Sequence, residues 1–363
     1  MSGPTFRSSG PAAPAAERCV GQTGGGCRDE NGLRAMIMRP AVTTFTTVIT
    51  AVLLAAPLAA EAQPAAPGVH TVGVLTPHRE DAAYPVFFET LRQLGYHEDR
   101  NLRLLVRSAE WKHDRLPALA AELVEARPDV IVAINTPGAR AAIQATKQIP
   151  IVISLVGDPI GTGLVSNLAR PGGNVTGIST MTGELASKRL SLLKQLVPGT
   201  RRIAVLFNPI DPVTGPQIRD TERAAPILDV GLRFFPVKAS GDLPETFEQM
   251  LAWRADAALW LSGQANAFQP GTIKLAAKHR LPVMVNQRVD VEAGGLISYF
   301  PDYAELFRRT AMYVDRILKG AKPGDLPVEQ PTKFELAINL KTAKVLGLAL
   351  PPSLLLQANR VVE

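Results

Sequence analysis

From Val69 to the C-terminus, short runs of β-branched and aliphatic residues alternate with longer stretches whose apolar positions recur at helical spacing. That alternation constrains the fold more than any other feature. Strands separated by helices pair in parallel, and a parallel sheet needs helices over both faces. The first series predicts strands at 71–75, 102–107, 129–134 and 151–154, with helices at roughly 84–94, 114–126 and 138–147. Gly95-Tyr96 and Arg127-Pro128 act as helix stops, because glycine accepts a left-handed turn and proline has no N–H to continue the ladder.

The stretch Arg170-Pro171-Gly172-Gly173-Asn174 interrupts the pattern, and a second series follows. Its strands are expected at 202–207, 232–237, 257–261 and 283–285, with helices near 185–196, 216–228, 244–253 and 272–278. A further strand (296–300), a long helix (303–318), a strand near 334–339 and helical turns complete the chain. The fold class is therefore α/β, with two Rossmann-like lobes built on parallel sheets and joined by a three-segment hinge. The first lobe is expected to take residues 69–176 and 301–330, the second 177–300 and 331–363.

The N-terminal part has a different character. Met38-Arg39 precedes an uncharged run from Ala41 to Ala60, which closes on Ala60-Glu61-Ala62-Gln63. A basic start, an apolar stretch and small residues before the cut are the parts of a secretory signal, here 38–62 with cleavage after Ala62. Thr43, Thr44, Thr46, Thr47, Thr50 and Pro57 make the run a poor membrane anchor. Residues 1–37, rich in Gly, Ala, Pro and Ser, read as an untranslated or disordered extension, with the true start at Met36 or Met38. Cleavage discards Cys19 and Cys27, which leaves a periplasmic protein with neither disulfide nor thiol nucleophile.

Composition narrows the function. Losing residues 1–62 removes five basic and four acidic groups, so the formal charge falls only from +6 to +5. The basic residues are interspersed with acids and form no recognisable motif, so no nucleic-acid partner is expected. His70, His78, His97, His113 and His279 show no metal-ligand spacing. The stretch Gly157-Asp158-Pro159-Ile160-Gly161-Thr162-Gly163 lacks the Lys-Ser/Thr of a phosphate loop, and no nucleophile elbow occurs. Neither a catalytic residue nor a cofactor is expected.

Ligands of open parallel sheets collect at the carboxyl ends of the strands. The residues there are Thr76-Pro77-His78, Asn135-Thr136-Pro137, Gly157-Asp158-Pro159, Asn208-Pro209, Ser262-Gly263-Gln264 and Asn286-Gln287. Hydroxyls and amides that open helices bind carboxylates and amines, and the same residue types also serve as helix caps and turn formers.

A set of longer stretches resembles the bacterial family of ABC transporter substrate-binding proteins that includes the tryptophan and tyrosine binders. They include Leu91-Arg92-Gln93-Leu94-Gly95-Tyr96, the glycine-rich stretch from Gly157 to Val165, Leu168-Ala169-Arg170-Pro171-Gly172-Gly173-Asn174-Val175-Thr176-Gly177, Gln330-Pro331-Thr332-Lys333-Phe334-Glu335-Leu336 and Leu350-Pro351-Pro352-Ser353-Leu354-Leu355. The resemblance covers essentially all of the chain from Val69. It implies a type I periplasmic-binding fold, a cleft that closes on a small-molecule solute, and delivery to an ABC permease in the inner membrane with its cytoplasmic ATPase. The ligand-binding set it suggests is Thr76, Asn135, Thr136, Gly157, Asp158, Thr180, Asn208, Gln264 and Asn286. The charged loop with His78, Arg79, Glu80 and Asp81 argues against an aromatic amino acid and leaves other small polar or carboxylated solutes open. The competing readings are a periplasmic sensor that presents its closed state to a membrane receptor, an exported hydrolase, and a repressor of the same bilobed shape.

Overall fold

The structure, a computed structural model, describes residues 68–78, 84–263 and 268–363. The N-terminal extension, the signal-like run and Gln264 lie outside the described residues. The strands are β1 (His70–Thr76), β2 (Leu102–Ser108), β3 (Val130–Ile134), β4 (Ile151–Val156), β5 (Val175–Ser179), β6 (Arg202–Phe207), β7 (Gly231–Pro236), β8 (Ala257–Trp260), β9 (Val283–Val285), β10 (Ile297–Pro301), β11 (Val328–Glu329), β12 (Phe334–Asn339) and β13 (Arg360–Val362). The α-helices are α1 (Tyr84–Gln93), α2 (Leu116–Glu125), α3 (Asn135–Ala145), α4 (Thr182–Leu196), α5 (Thr214–Ala224), α6 (Leu243–Ala252), α7 (Gln269–His279), α8 (Arg288–Glu292), α9 (Tyr303–Leu318), α10 (Leu340–Val345) and α11 (Pro352–Gln357).

Two sheets result, ordered β11-β5-β4-β3-β1-β2 and β13-β12-β10-β9-β8-β6-β7. Every pairing is parallel except β10 with β12. Alternation along each strand divides its side chains between two helical layers. Val130, Val132 and Ile134 pack with Phe87 and Leu91 of α1 and with Leu306, Phe307 and Val314 of α9. Ile131 and Ala133 turn the other way, to Leu116, Leu119 and Leu123 of α2 and to Ala139 and Ala142 of α3. In the second sheet Ile203 and Val205 face Leu190 and Leu193 of α4, and Ala204 and Leu206 face Phe247 and Met250 of α6. Each of the larger aliphatic and aromatic side chains contributes roughly 1.5–3 kcal/mol by leaving water, which is why a strand covered on both faces reads as an unbroken apolar run.

The chain changes sheet three times: after Ser179 into α4, after Pro301 into α9, and after Glu329 into β12. The expected lobe boundary at 176/177 falls inside β5, because Val175–Ser179 pairs with β4 before the chain leaves. The sequence pattern also missed β13, which pairs in parallel with β12 where helical turns were expected. Three residues at a sheet edge carry too short a pattern to register a period. Helix α3 begins at Asn135 rather than Gly138, so the polar tip after β3 is the first turn of the helix itself.

Candidate functional site

Each sheet has a switch point, where successive strands go to opposite sides and leave a crevice beyond their carboxyl ends. In the first sheet it lies between β1 and β3, in the second between β6 and β8. The two crevices face each other. A small cavity of about 50 Å³ lies there, lined from the first lobe by His78, Asn135, Thr136, Pro137, Leu155, Gly157 and Tyr303, and from the second by Thr182, Asp211, Val213, Ser262, Gly263 and Gln287. Thr180, on the crossing from β5 to α4, completes it.

The backbone around the cavity is held in unusual conformations. Asn135, Leu155 and Met181 have φ of 60°, 56° and 54°. Asparagine enters the left-handed region readily, whereas leucine and methionine pay about 1–2 kcal/mol each to do so. For Leu155 the cause is visible: the pairing of β4 with β5 shifts register between Ile153 and Val156, which turns Leu155 out of the strand alternation. Gly157 is equally constrained, since a Cβ there would come within 2.7 Å of Val213 Cγ1.

Behind the His78 wall lies an aromatic stack. The His78 ring lies 4.4 Å from that of Trp111 at 17° and 6.0 Å from that of Tyr84 at 6°. Trp111 is anchored through its backbone N–H, which donates to Pro77 O at 2.7 Å. On the second lobe, the buried Gln217 clamps Ser262: its Nε2 donates to Ser262 O at 2.7 Å and its Oε1 accepts from Ser262 N at 2.8 Å. Beneath Ser262 lies Arg189, with no exposed surface. Burial lowers its pKa to about 10, so it stays protonated at neutral pH. Burial likewise raises Asp290 from 3.8 to about 6, against the N–H groups of Gln287 and Asn286 and the charge of Arg189, which favour its ionised form.

The expected site residues separate into three groups. Asn135, Thr136, Gly157 and Thr180 come together at the cavity. Thr76, Asp158, Asn208 and Asn286 do not line it, and each has a local role instead. Thr76 Oγ1 donates to His78 O at 2.6 Å. Asp158 Oδ1 accepts from Gly161 N at 2.7 Å, which closes its own loop, and Asn208 Oδ1 accepts from Ile210 N at 3.0 Å. Asn286 Oδ1 accepts from Arg189 Nη2 at 2.8 Å. Gln264 lies outside the described residues.

Leu155, Thr182, Asp211, Val213 and Tyr303 were not among the expected residues, because they stand within strands, several residues past them, or at the start of helices that bear no special motif. Arg189 did leave a signal. It falls on the stripe of Leu185, Leu192 and Leu196, so a cation occupies an apolar helix face.

A larger cavity of about 500 Å³ opens between α7 and α10 on the outer side of the second sheet, where α8, with five residues, is too short to cover β9 and β10. Its lining is mostly apolar, and none of the polar tips that follow the strands lines it. Among the described residues no cluster of three metal-ligating side chains occurs, and no helix is long and apolar enough to cross a membrane.

Comparison with known proteins agrees with this architecture. Residues 71–362 match the family model for ABC transporter substrate binding proteins. A tyrosine-binding protein of Clostridioides difficile is 27% identical over 268 residues, covering 74% of this chain and 77% of that protein. A structure of an ABC domain from Streptococcus pneumonia in complex with L-Trp superposes with a TM-score of 0.76 at 27% identity, covering 81% of this chain and 100% of the other. A conserved domain protein of Vibrio cholerae superposes equally well, at 0.76 and 29% identity, over 81% of this chain and 99% of that one. The expected type I periplasmic-binding fold is thus present, and the chain belongs to the family of ABC transporter substrate-binding proteins.

Proposed function

We propose that this protein is the exported receptor of an ABC uptake system, closing its two lobes on a small carboxylated or polar solute, amino acids included, and presenting the closed form to a membrane permease. The observation that carries the reading is the cavity itself: both lobes line it, at facing switch points, with hydroxyls, two amides and a carboxylate around one small volume. Three chain crossings between the lobes suit a hinge. The signal-like run before Gln63 accords with the extracytoplasmic placement of the family.

The relatives bind tyrosine and L-Trp, as their names state. The hydroxyls, amides and carboxylate of the lining match the carboxylate and amine common to amino acids.

Thermal unfolding of the exported protein, stripped of co-purified solute, against amino acids, other carboxylates, purines and sugars tests the reading. At a hundredfold excess over its dissociation constant a true solute adds about 2.7 kcal/mol, a midpoint shift on the order of 5 °C. A selective shift, with compaction in small-angle scattering, is expected. A flat panel without compaction would count against the receptor role.

A further inference from the structure

Arg189 is a cation in the wrong place for a structural arginine. It sits in α4, fully buried, and makes no ion pair among the described residues. Its Nη1 donates to Ser262 Oγ at 2.8 Å, and its Nη2 donates to Asn286 Oδ1 at 2.8 Å and Val285 O at 2.9 Å. Its buried Nε has no hydrogen-bond partner. All three acceptors are neutral oxygens just past β8 or at the end of β9. The Asp290 carboxylate favours the charged guanidinium from beyond ion-pair distance, but burial outweighs it, so a further anion on the cavity side would stabilise the cation.

Ser262 links this charge to the cavity. A hydroxyl has one proton and two lone pairs, and here one lone pair already accepts from the guanidinium. No described residue accepts the Ser262 proton, and Ser262 lines the cavity. Gln217 holds its backbone from both sides, and the guanidinium holds its hydroxyl oxygen. Thr182, in the first turn of the 15-residue α4, lines the same cavity, with a buried Oγ1 that has no partner. The N-terminal end of that helix adds its positive dipole. Asp211, the carboxylate of the lining, lies on the loop after β6.

We propose that Arg189 is a positioning residue that makes the site select a carboxylate: by holding the Ser262 oxygen as acceptor it commits the hydroxyl proton to an anionic oxygen at the α4 end of the cavity. The inference rests on the receptor reading and names the class of solute it takes. A charge-assisted hydroxyl beside a buried guanidinium favours a carboxylate over the neutral amide of the same shape by about tenfold or more.

The test is calorimetric titration of the exported protein with matched acids and amides: L-alanine and L-alaninamide, L-leucine and L-leucinamide, L-tyrosine and L-tyrosinamide. In the unmodified protein at least one acid should bind about tenfold more tightly than its amide. In Arg189→Met and in Ser262→Ala that ratio should fall towards one, whereas a merely structural role would weaken both members of a pair alike. Ser262→Ala keeps the buried cation and the helix, so it remains informative if Arg189→Met does not fold. An acid that binds no better than its amide, a ratio unchanged in Ser262→Ala, or binding of uncharged solutes alone overturns the inference and leaves the receptor reading in place. Failure of every acid, amide and sugar to bind removes the receptor reading, and the inference with it.

Discussion

Gly157, at the carboxyl end of β4, meets Val213 of the other lobe so closely that a Cβ added to the glycine would lie 2.7 Å from Val213 Cγ1 and 2.6 Å from Thr182 Oγ1. Its backbone is not left-handed, so alanine is allowed there conformationally, and the obstacle is the facing lobe alone. Gly157→Ala should therefore lower solute affinity about tenfold, or about 1.4 kcal/mol, with little change in the melting temperature of the solute-free protein. Calorimetric titration beside a thermal melt checks this, and unchanged affinity would mean that the lobes do not approach this closely around the solute.

Gln217 has no exposed surface and satisfies both backbone groups of Ser262, and its Nε2 also donates to Val213 O at 3.2 Å. Leucine is close in size but leaves the part-buried N–H and C=O of Ser262 without a protein partner. Gln217→Leu should cost about 2–4 kcal/mol of stability. Urea unfolding should show a lower midpoint at an unchanged slope, the sign of a stability loss rather than a changed denatured state.

Asp290 sets a pH dependence. Its pKa is raised by burial from 3.8 to about 6 in the folded protein. Between those values the folded chain holds more protons than the unfolded one, so stability falls as pH rises through the window, by at most about 3 kcal/mol. Asp290→Asn retains an oxygen for Gln287 N, which now donates to Asp290 Oδ2 at 2.9 Å, and should flatten this slope. Unfolding midpoints of the two proteins measured across the window decide it, and parallel slopes would assign the dependence to other groups.

Export makes a prediction at the other end of the chain. Mass spectrometry of the secreted protein should find Gln63 as the first residue, and deletion of residues 41–62 should leave the chain in the cytoplasm. A mature protein that retains Cys19 and Cys27 would contradict the cleavage.

The long elements were legible because periodicity is a local property. β6, β9, β12 and α9 stand where the pattern put them, at Arg202–Phe207, Val283–Val285, Phe334–Asn339 and Tyr303–Leu318. Short edge strands such as β11 and β13 were not, since two or three residues have no period and pair only because a neighbouring strand is already in place. The site was half legible for a related reason. Asn135, Thr136 and Gly157 follow strands directly and inherit their position from the sheet, whereas Asp211 and Val213 arrive through a loop, and Tyr303 through a helix of the opposite lobe.

By itself the sequence determined the α/β class, the two lobes, the family and the tips from which a site is built, because each depends on residue order and side-chain type along one segment. Only the tertiary structure decided which tips meet. Thr76, Asp158, Asn208 and Asn286 turn to local partners, and Arg189, one of two adjacent cations in a helix, becomes the buried charge behind Ser262. The reason is geometric: what a side chain faces depends on the crossing of helices and the register of strands far apart in the chain, and no local pattern carries that information.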